Sequence, residues 1–157
     1  MNMPGPATPE EKAAFVEQAL QRAEELRRAH SHNEGIHLLV DALQYGLEKA
    51  RIYHRLGNLY VDAGDLGRAE YAYKRALDVD PEHVNSMHNL AIVYKRQNKV
   101  SLFVKTYKKA QRMEIRTLGS KHTSQEAQAH VRRRRIRILA GILGAGVLLL
   151  VFLLLRR

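Results

Sequence analysis

The chain has 157 residues, a formal net charge of +10 and no cysteine. This length allows one modest domain, and the lack of cysteine excludes a disulfide framework and any thiolate metal site or nucleophile. No nucleophile elbow, phosphate-binding glycine loop or zinc-protease motif occurs in the sequence. We therefore expect a protein that is not an enzyme and that needs no cofactor.

The N-terminal segment lacks the basic start and apolar core of a secretory signal. Residues 1–8 instead predict a short flexible lead. Thr8 is predicted to cap a helix that starts at Pro9, with Glu11 completing a capping box.

Segments 50–83 and 84–117 carry similar residue types at a constant offset along the chain. Each segment predicts two short amphipathic helices from its apolar spacing. A small residue in the first helix is expected to let the two helix backbones approach closely. The matching pairs are Tyr53 with Met87, Leu56 with Leu90, Gly57 with Ala91, Tyr60 with Tyr94, Ala69 with Phe103, Tyr73 with Tyr107 and Ala76 with Ala110.

Residues 50–83 resemble the tetratricopeptide repeat (TPR) family at every position of its pattern, including the closing Pro81. Residues 84–117 depart from that pattern at Met87, Phe103 and Ile115, and Ile115 replaces the closing proline.

A third, degenerate copy lies upstream in residues 16–49, with Arg22 where leucine belongs. The resemblance implies an all-α fold of about three helical hairpins in a right-handed superhelical stack. It places the TPR domain at residues 9–119.

An unbroken apolar run, from position 138 to position 155, follows the repeats. At about 1.5 Å per residue it is just long enough to span a bilayer, helped by Arg137, Arg156 and Arg157 at its ends. A buried core helix does not fit, because so small a repeat domain cannot surround it. We predict a transmembrane helix and a tail-anchored, single-pass protein.

Charge is divided along the chain. Residues 1–95 carry 11 Lys and Arg against 14 Asp and Glu, a net of −3, whereas residues 96–157 carry 15 against 2, a net of +13. The cations next to the apolar run are expected to lie at a membrane surface with anionic lipids. They are Arg132, Arg133, Arg134, Arg135 and Arg137.

No aromatic residue is interleaved with these arginines, so we expect no nucleic-acid partner. The charge bias predicts that the repeats face the cytoplasm, at a bacterial inner membrane or, in a eukaryote, the mitochondrial outer membrane. Small residues spaced by four in the apolar run, such as Ala140 and Gly144, suggest a homo-oligomer.

The intervening segment, residues 120–137, predicts a basic helix with Thr123 as its N-cap. This helix either caps the last repeat or forms a mobile stalk, and the sequence leaves both open. Lys105, Lys108, Lys109 and Arg112, in the preceding repeat, are expected to face the bilayer or an acidic partner.

The TPR resemblance implies a concave groove, lined by the first helix of each repeat, that takes a peptide or a partner helix. Asn58 and Asn89 are then candidates for holding a peptide backbone, and both are predicted to point away from the packing aromatics. The nearby basic residues favour an acidic protein or peptide partner. They are Arg51, His54, Arg55 and His88.

The eight histidines are predicted to be solvated rather than to form a metal site. Two functions remain for the chain as a whole. The first is a membrane-anchored adaptor that binds proteins or peptides in the groove and recruits them to the membrane. The alternative is a self-assembling membrane scaffold, or a non-catalytic anchoring subunit of a larger complex.

Overall fold

The computed structural model describes residues 8–119, and within that range every regular element is an α-helix. The helices are α1 (Pro9–Arg28), α2 (His32–Leu43), α3 (Lys49–Asp62), α4 (Leu66–Val79), α5 (Val84–Arg96) and α6 (residues 100–119). The all-α prediction is therefore confirmed for the described part.

The first helix begins as the sequence predicts. Thr8 accepts a hydrogen bond from the backbone N–H of Glu11 at 3.2 Å, and Glu11 accepts one from the backbone N–H of Thr8 at 3.1 Å. This reciprocal pair is a complete capping box, and Pro9 occupies the first turn, where no intrahelical N–H is needed.

The helices pack as consecutive hairpins, and the turn within each hairpin has the same backbone geometry. His30, Gly64 and Asn98 are evenly spaced along the chain and adopt φ angles of +59°, +81° and +63°. One residue later, the backbone N–H of Ser31, Asp65 and Lys99 donates to a carbonyl five residues back, at 2.8–2.9 Å. The degenerate segment 16–49 thus shares its turn with the two copies that follow the pattern more closely.

The hairpin of α3 and α4 shows why a glycine lies in the first helix. A Cβ atom added at Gly57 would lie within 3.0 Å of three ring atoms of Tyr73, which is itself only 1% exposed. The expectation that small residues permit close helix approach is confirmed here.

The last hairpin differs from the pattern at its end. The closing proline of the repeat is replaced by Ile115, and α6 continues through this position to residue 119. Since proline is the residue that would break the helix, its absence removes the stop.

The chain divides into two compact units, Met1–Glu114 and Ile115–Arg157, and the sites below lie in the first. No helix within residues 8–119 is both long and apolar enough to cross a membrane. The predicted transmembrane helix 138–155, the basic segment 120–137 with its arginines, and the lead up to residue 7 fall outside the described residues.

Candidate functional site: the first-helix face

The first helices α1, α3 and α5 contact one another in order, α1 with α3 and α3 with α5. We call their shared exposed side the first-helix face. Asn58 lies at its centre, where its Oδ1 accepts hydrogen bonds from the Tyr73 hydroxyl at 2.7 Å and from Asn89 Nδ2 at 3.0 Å.

The prediction that Asn58 points away from the packing aromatics is wrong. Tyr73 packs against Gly57, the residue before Asn58, and its hydroxyl reaches the asparagine amide. A buried phenol needs a hydrogen-bond partner, and Asn58 supplies the acceptor. Asn58 therefore joins the core to the first-helix face.

His54 continues this network toward α5. Its Nε2 lies 3.4 Å from Asn58 Nδ2, and its Nδ1 lies 3.1 Å from the hydroxyl of Ser86, which is fully buried. Ser86 Oγ in turn lies 3.0 Å from Nδ1 of His83, the residue that caps α5.

One assignment of protons satisfies the whole chain of contacts. Asn58 donates to Nε2 of His54, His54 donates from Nδ1 to Ser86, and Ser86 donates to Nδ1 of His83. A neutral His54 provides this combination of one acceptor and one donor, whereas a protonated ring would turn a second donor toward the Asn58 amide.

Burial lowers the pKa of His54 to about 4, with smaller contributions from the neighbouring His83 and Arg55. The ring is therefore neutral at pH 7. His54 positions Asn58 and Ser86, and at neutral pH it brings no positive charge for an acidic ligand.

The two arginines predicted to attract an acidic ligand are already paired with carboxylates of α1. Arg51 binds Glu17 at 2.9 Å, and Arg55 binds Glu24 at 2.9 Å. Glu24 also accepts hydrogen bonds from Arg27 and Arg28, and the bond from Arg27 is the main reason that its pKa falls to about 2. These ion pairs join α1 to α3.

A cavity of about 280 Å³ opens beside Asn58 and Asn89, and we call it the central cavity. Its wall includes Ile92, the ion pair between Arg27 and Asp62 at 2.7 Å, and Arg96. Arg96 forms no ion pair with any residue in the range 8–119. The cavity thus combines an amide, an apolar side chain and a cation.

Sequence reasoning missed Ile92 and Arg96. The available signal was their spacing from Asn89, since positions i, i+3 and i+7 of a helix share one face.

A second depression of about 300 Å³ lies on the other side of Asn89 and is lined by His54 and the exposed His88. Asn89 borders both cavities. Its Nδ2 is bonded to Asn58, whereas its Oδ1 has no partner among residues 8–119. Of the two predicted asparagines, Asn89 is therefore the one whose amide oxygen can still accept a hydrogen bond from a ligand.

A metal-binding role finds no support in the described part of the chain. Among residues 8–119, no three His, Asp or Glu side chains converge in an arrangement that could hold a metal ion. His30 and His32 face each other across the first turn with ring centroids 5.8 Å apart, without a third ligand.

Comparison with known proteins supports the repeat assignment. Residues 50–83 match the model of the family described as Tetratricopeptide repeat. A 51-residue segment is 37% identical to "Tetratricopeptide repeat protein 8" of Caenorhabditis elegans and covers 32% of this chain and 10% of that protein. The chain therefore contains a tetratricopeptide repeat and matches a small part of this relative.

Solved structures share the fold of the described helices. The chain is similar to a structure described as "Crystal structure of MamA", with a TM-score of 0.63 and 20% identity over 66% of this chain and 61% of that one. It is also similar to "MamA RS-1 ArsTM double mutant", with a TM-score of 0.60 and 17% identity over 69% and 66%. These likenesses show a shared helical fold, and the family match at residues 50–83 makes it a TPR-type helical repeat fold.

Proposed function

We propose that this chain is a membrane-anchored adaptor that binds an extended peptide segment of a partner protein across the first-helix face. The observation that carries the proposal is the position of Asn89. This residue lies between two cavities and is held in place by Asn58. Its amide oxygen has no hydrogen-bond partner among residues 8–119 and can accept a peptide N–H.

The network behind Asn89 favours binding because it fixes the amide before a ligand arrives. Asn58 receives a hydrogen bond from the buried Tyr73 and another from Asn89, so rotation of the Asn89 side chain is restricted. A preorganised donor or acceptor costs less entropy on binding than a mobile one.

The charge of the central cavity defines the peptide that we expect. Arg27 and Asp62 neutralise each other, which leaves Arg96 as the one cation in the wall without a carboxylate partner among residues 8–119. Ile92 offers an apolar contact in the same wall. A peptide with an acidic residue next to an apolar residue fits this combination.

Membrane attachment is the second part of the proposal and rests on sequence. Residues 138–155 are uniformly apolar, and five arginines lie at positions 132–137. A repeat domain held in this way would present the first-helix face at the cytoplasmic surface of a bilayer. We place the adaptor there.

Peptide binding is tested with the full chain in lipid nanodiscs and a pool of random extended peptides. A photo-crosslinking amino acid replaces Ile92 in the central cavity, and the control carries it at Tyr71, which is 63% exposed on α4. We expect peptide adducts at Ile92 only, enriched in acidic residues. Equal amounts of peptide adduct at both positions, or no adduct at either, would contradict the proposed adaptor function.

Membrane anchoring has its own test. The full chain is expected to float with phosphatidylcholine vesicles in a density gradient and to resist extraction at high salt. Deletion of residues 138–155 is expected to abolish flotation. A deletion variant that still floats, or a full chain that does not, would contradict the anchor.

Exposed apolar side chains on the first and last hairpins favour the alternative, a self-assembling scaffold. Val40 on α2 is 49% exposed and Val100 at the start of α6 is 63% exposed. Unlike surfaces at two ends of a stack allow head-to-tail contact between copies. In that case, crosslinks from Ile92 and Tyr71 alike would join copies of the chain, and Val100→Ser would dissociate them.

A further inference from the structure

The outer side of α6 carries four exposed cations in a single row. Lys105, Lys108, Lys109 and Arg112 follow one another at helical spacing, so they lie within about 100° of the helix circumference. We call this row the basic stripe. The opposite side of the helix packs against the domain through Phe103, Ala110 and Met113.

The basic stripe differs from the outer side of α4, where cations are matched with acids. On α4, Lys74 binds Glu70 at 2.6 Å and Arg75 binds Asp78 at 3.1 Å. No member of the stripe forms an ion pair with a residue in the described range. The one acidic residue within residues 100–119 is Glu114, which lines the depression beside His54 on another side of the helix.

Like charges at these spacings repel each other and disfavour the helix that carries them. Within the stripe, Lys105 has a cation three and four residues later, and Arg112 has a cation three and four residues earlier. An anionic surface placed against the stripe would relieve this repulsion at all four positions at once. The stripe is thus suited to a negatively charged partner that is broad rather than pointlike.

Apolar side chains border the stripe on both edges. Leu102 is 40% exposed and Val104 is 42% exposed. Cations flanked by exposed aliphatic side chains are typical of helices that lie at a lipid headgroup region, where charge and apolar surface are both satisfied. A nucleic-acid surface would leave these two side chains without a favourable contact.

The sequence after the basic stripe is also poor in acidic residues. Between Arg112 and the apolar run 138–155, the only acidic residues are Glu114 and Glu126. We propose that the basic stripe docks on the anionic headgroups of the bilayer that holds residues 138–155. This inference rests on the membrane anchor of the proposed function, and it adds that the domain lies against the membrane by α6.

The chain has no cysteine, so a single introduced cysteine can be labelled without other changes. Ser101→Cys places a fluorophore within the arc of the stripe, and Tyr71→Cys places it on α4 as a control. Energy transfer to a headgroup-labelled lipid is measured in vesicles of phosphatidylcholine alone and of phosphatidylcholine mixed with phosphatidylglycerol. We expect transfer from Ser101→Cys to rise with phosphatidylglycerol and to fall with added salt, and transfer from Tyr71→Cys to change little.

Substitutions in the stripe give the quantitative test. Lys108→Gln and Arg112→Gln are each expected to lower the ratio of docked to undocked domain about fivefold in anionic vesicles, since each removes one cation from the surface. Lys74→Gln, which removes a paired cation from α4, is expected to leave that ratio unchanged. Equal transfer in both lipid mixtures, or no response to Lys108→Gln, would overturn the proposal.

Failure of the anchor is distinguishable from failure of the stripe. If the full chain floats only with anionic vesicles and still responds to Lys108→Gln, the stripe stands and the anchor does not. If it floats with neither, both fail. If the chain in detergent binds a short DNA or RNA duplex in a Lys108-dependent manner while Ser101→Cys shows no transfer to lipid, the stripe binds nucleic acid and the membrane proposal is overturned.

Discussion

Replacement of His54 by glutamine is predicted to remove a specific part of the pH dependence of folding. The pKa of His54 is about 4 in the folded protein, mainly because the ring is buried, and about 6.5 in an unfolded chain. Between these values the unfolded state binds more protons, so stability falls as pH falls below about 6.5 and the loss is complete below pH 4.

The size of the effect follows from the two pKa values. Between pH 7 and pH 5 the unfolded ring takes up about three quarters of a proton while the folded ring takes up little, which amounts to about 2 kcal/mol of lost stability. A shift of this size is a large share of the stability of a small domain. His54→Gln keeps a neutral polar side chain near Ser86 and does not titrate.

The assay is urea unfolding of the full chain in neutral detergent, followed by tyrosine fluorescence at pH 7 and at pH 5. The wild type is expected to lose about 2 kcal/mol more than His54→Gln between the two conditions. Equal losses would show that the His54 ring is solvated or charged in the folded state. The proton assignment that links Asn58, His54 and Ser86 would then be wrong.

Two further predictions concern packing and charge. Gly57→Ala is expected to destabilise the domain by about 1–3 kcal/mol because the added methyl meets the Tyr73 ring. Gly67→Ala, whose Cβ would make only an ordinary contact with Asp65, is expected to be neutral or to stabilise the domain by up to about 1 kcal/mol. Urea unfolding midpoints of the two variants test this pair, and an unchanged midpoint for Gly57→Ala would contradict it. The pKa of Glu24 is depressed to about 2 in the folded protein, mainly by the Arg27 hydrogen bond, so the wild type is expected to lose stability as pH falls from about 4.5 to 2. Glu24→Gln lacks this carboxylate and is expected to lose less stability over the same range. Equal losses in acid titrations of the two proteins would refute the prediction.

The helical hairpins could be predicted because their signal is periodic and local. Gly57 and Tyr73 recur at the equivalent positions of the next repeat as Ala91 and Tyr107, and the contact of Gly57 with Tyr73 lies within a single hairpin. The capping box at Thr8 depends only on Thr8 and Glu11, three positions apart on the chain, and for that reason the sequence predicts it correctly.

The partners of the site residues could not be predicted in the same way because they come from different hairpins. Asn58 and Asn89 are 31 residues apart and 3.0 Å apart in space, and Arg55 and Glu24 repeat this separation at 2.9 Å. The spacing of 31 therefore marks facing positions on neighbouring first helices. Applied to the sequence, it would have paired Arg55 with Glu24 and shown that this cation is already neutralised.

The burial of His54 was missed for a related reason. Its ring contacts Tyr73 from α4 and Ser86 and His83 from the next hairpin, and no local sequence pattern predicts these contacts. A histidine on the exposed side of a predicted helix is expected to be solvated. In the structure, contacts with the next repeat bury the His54 ring instead.

The central claim is that Asn89 binds a peptide backbone on the first-helix face. The most direct measurement is the dissociation constant of a peptide selected on the wild-type chain, determined by fluorescence anisotropy for Asn89→Ala and for Asn33→Ala. Asn33→Ala is the control, because it removes an amide from α2 that does not line the central cavity. We predict about tenfold weaker binding for Asn89→Ala, the loss expected for one or two hydrogen bonds, and no change for Asn33→Ala. Unchanged affinity in Asn89→Ala, or equal losses in both variants, would contradict the claim.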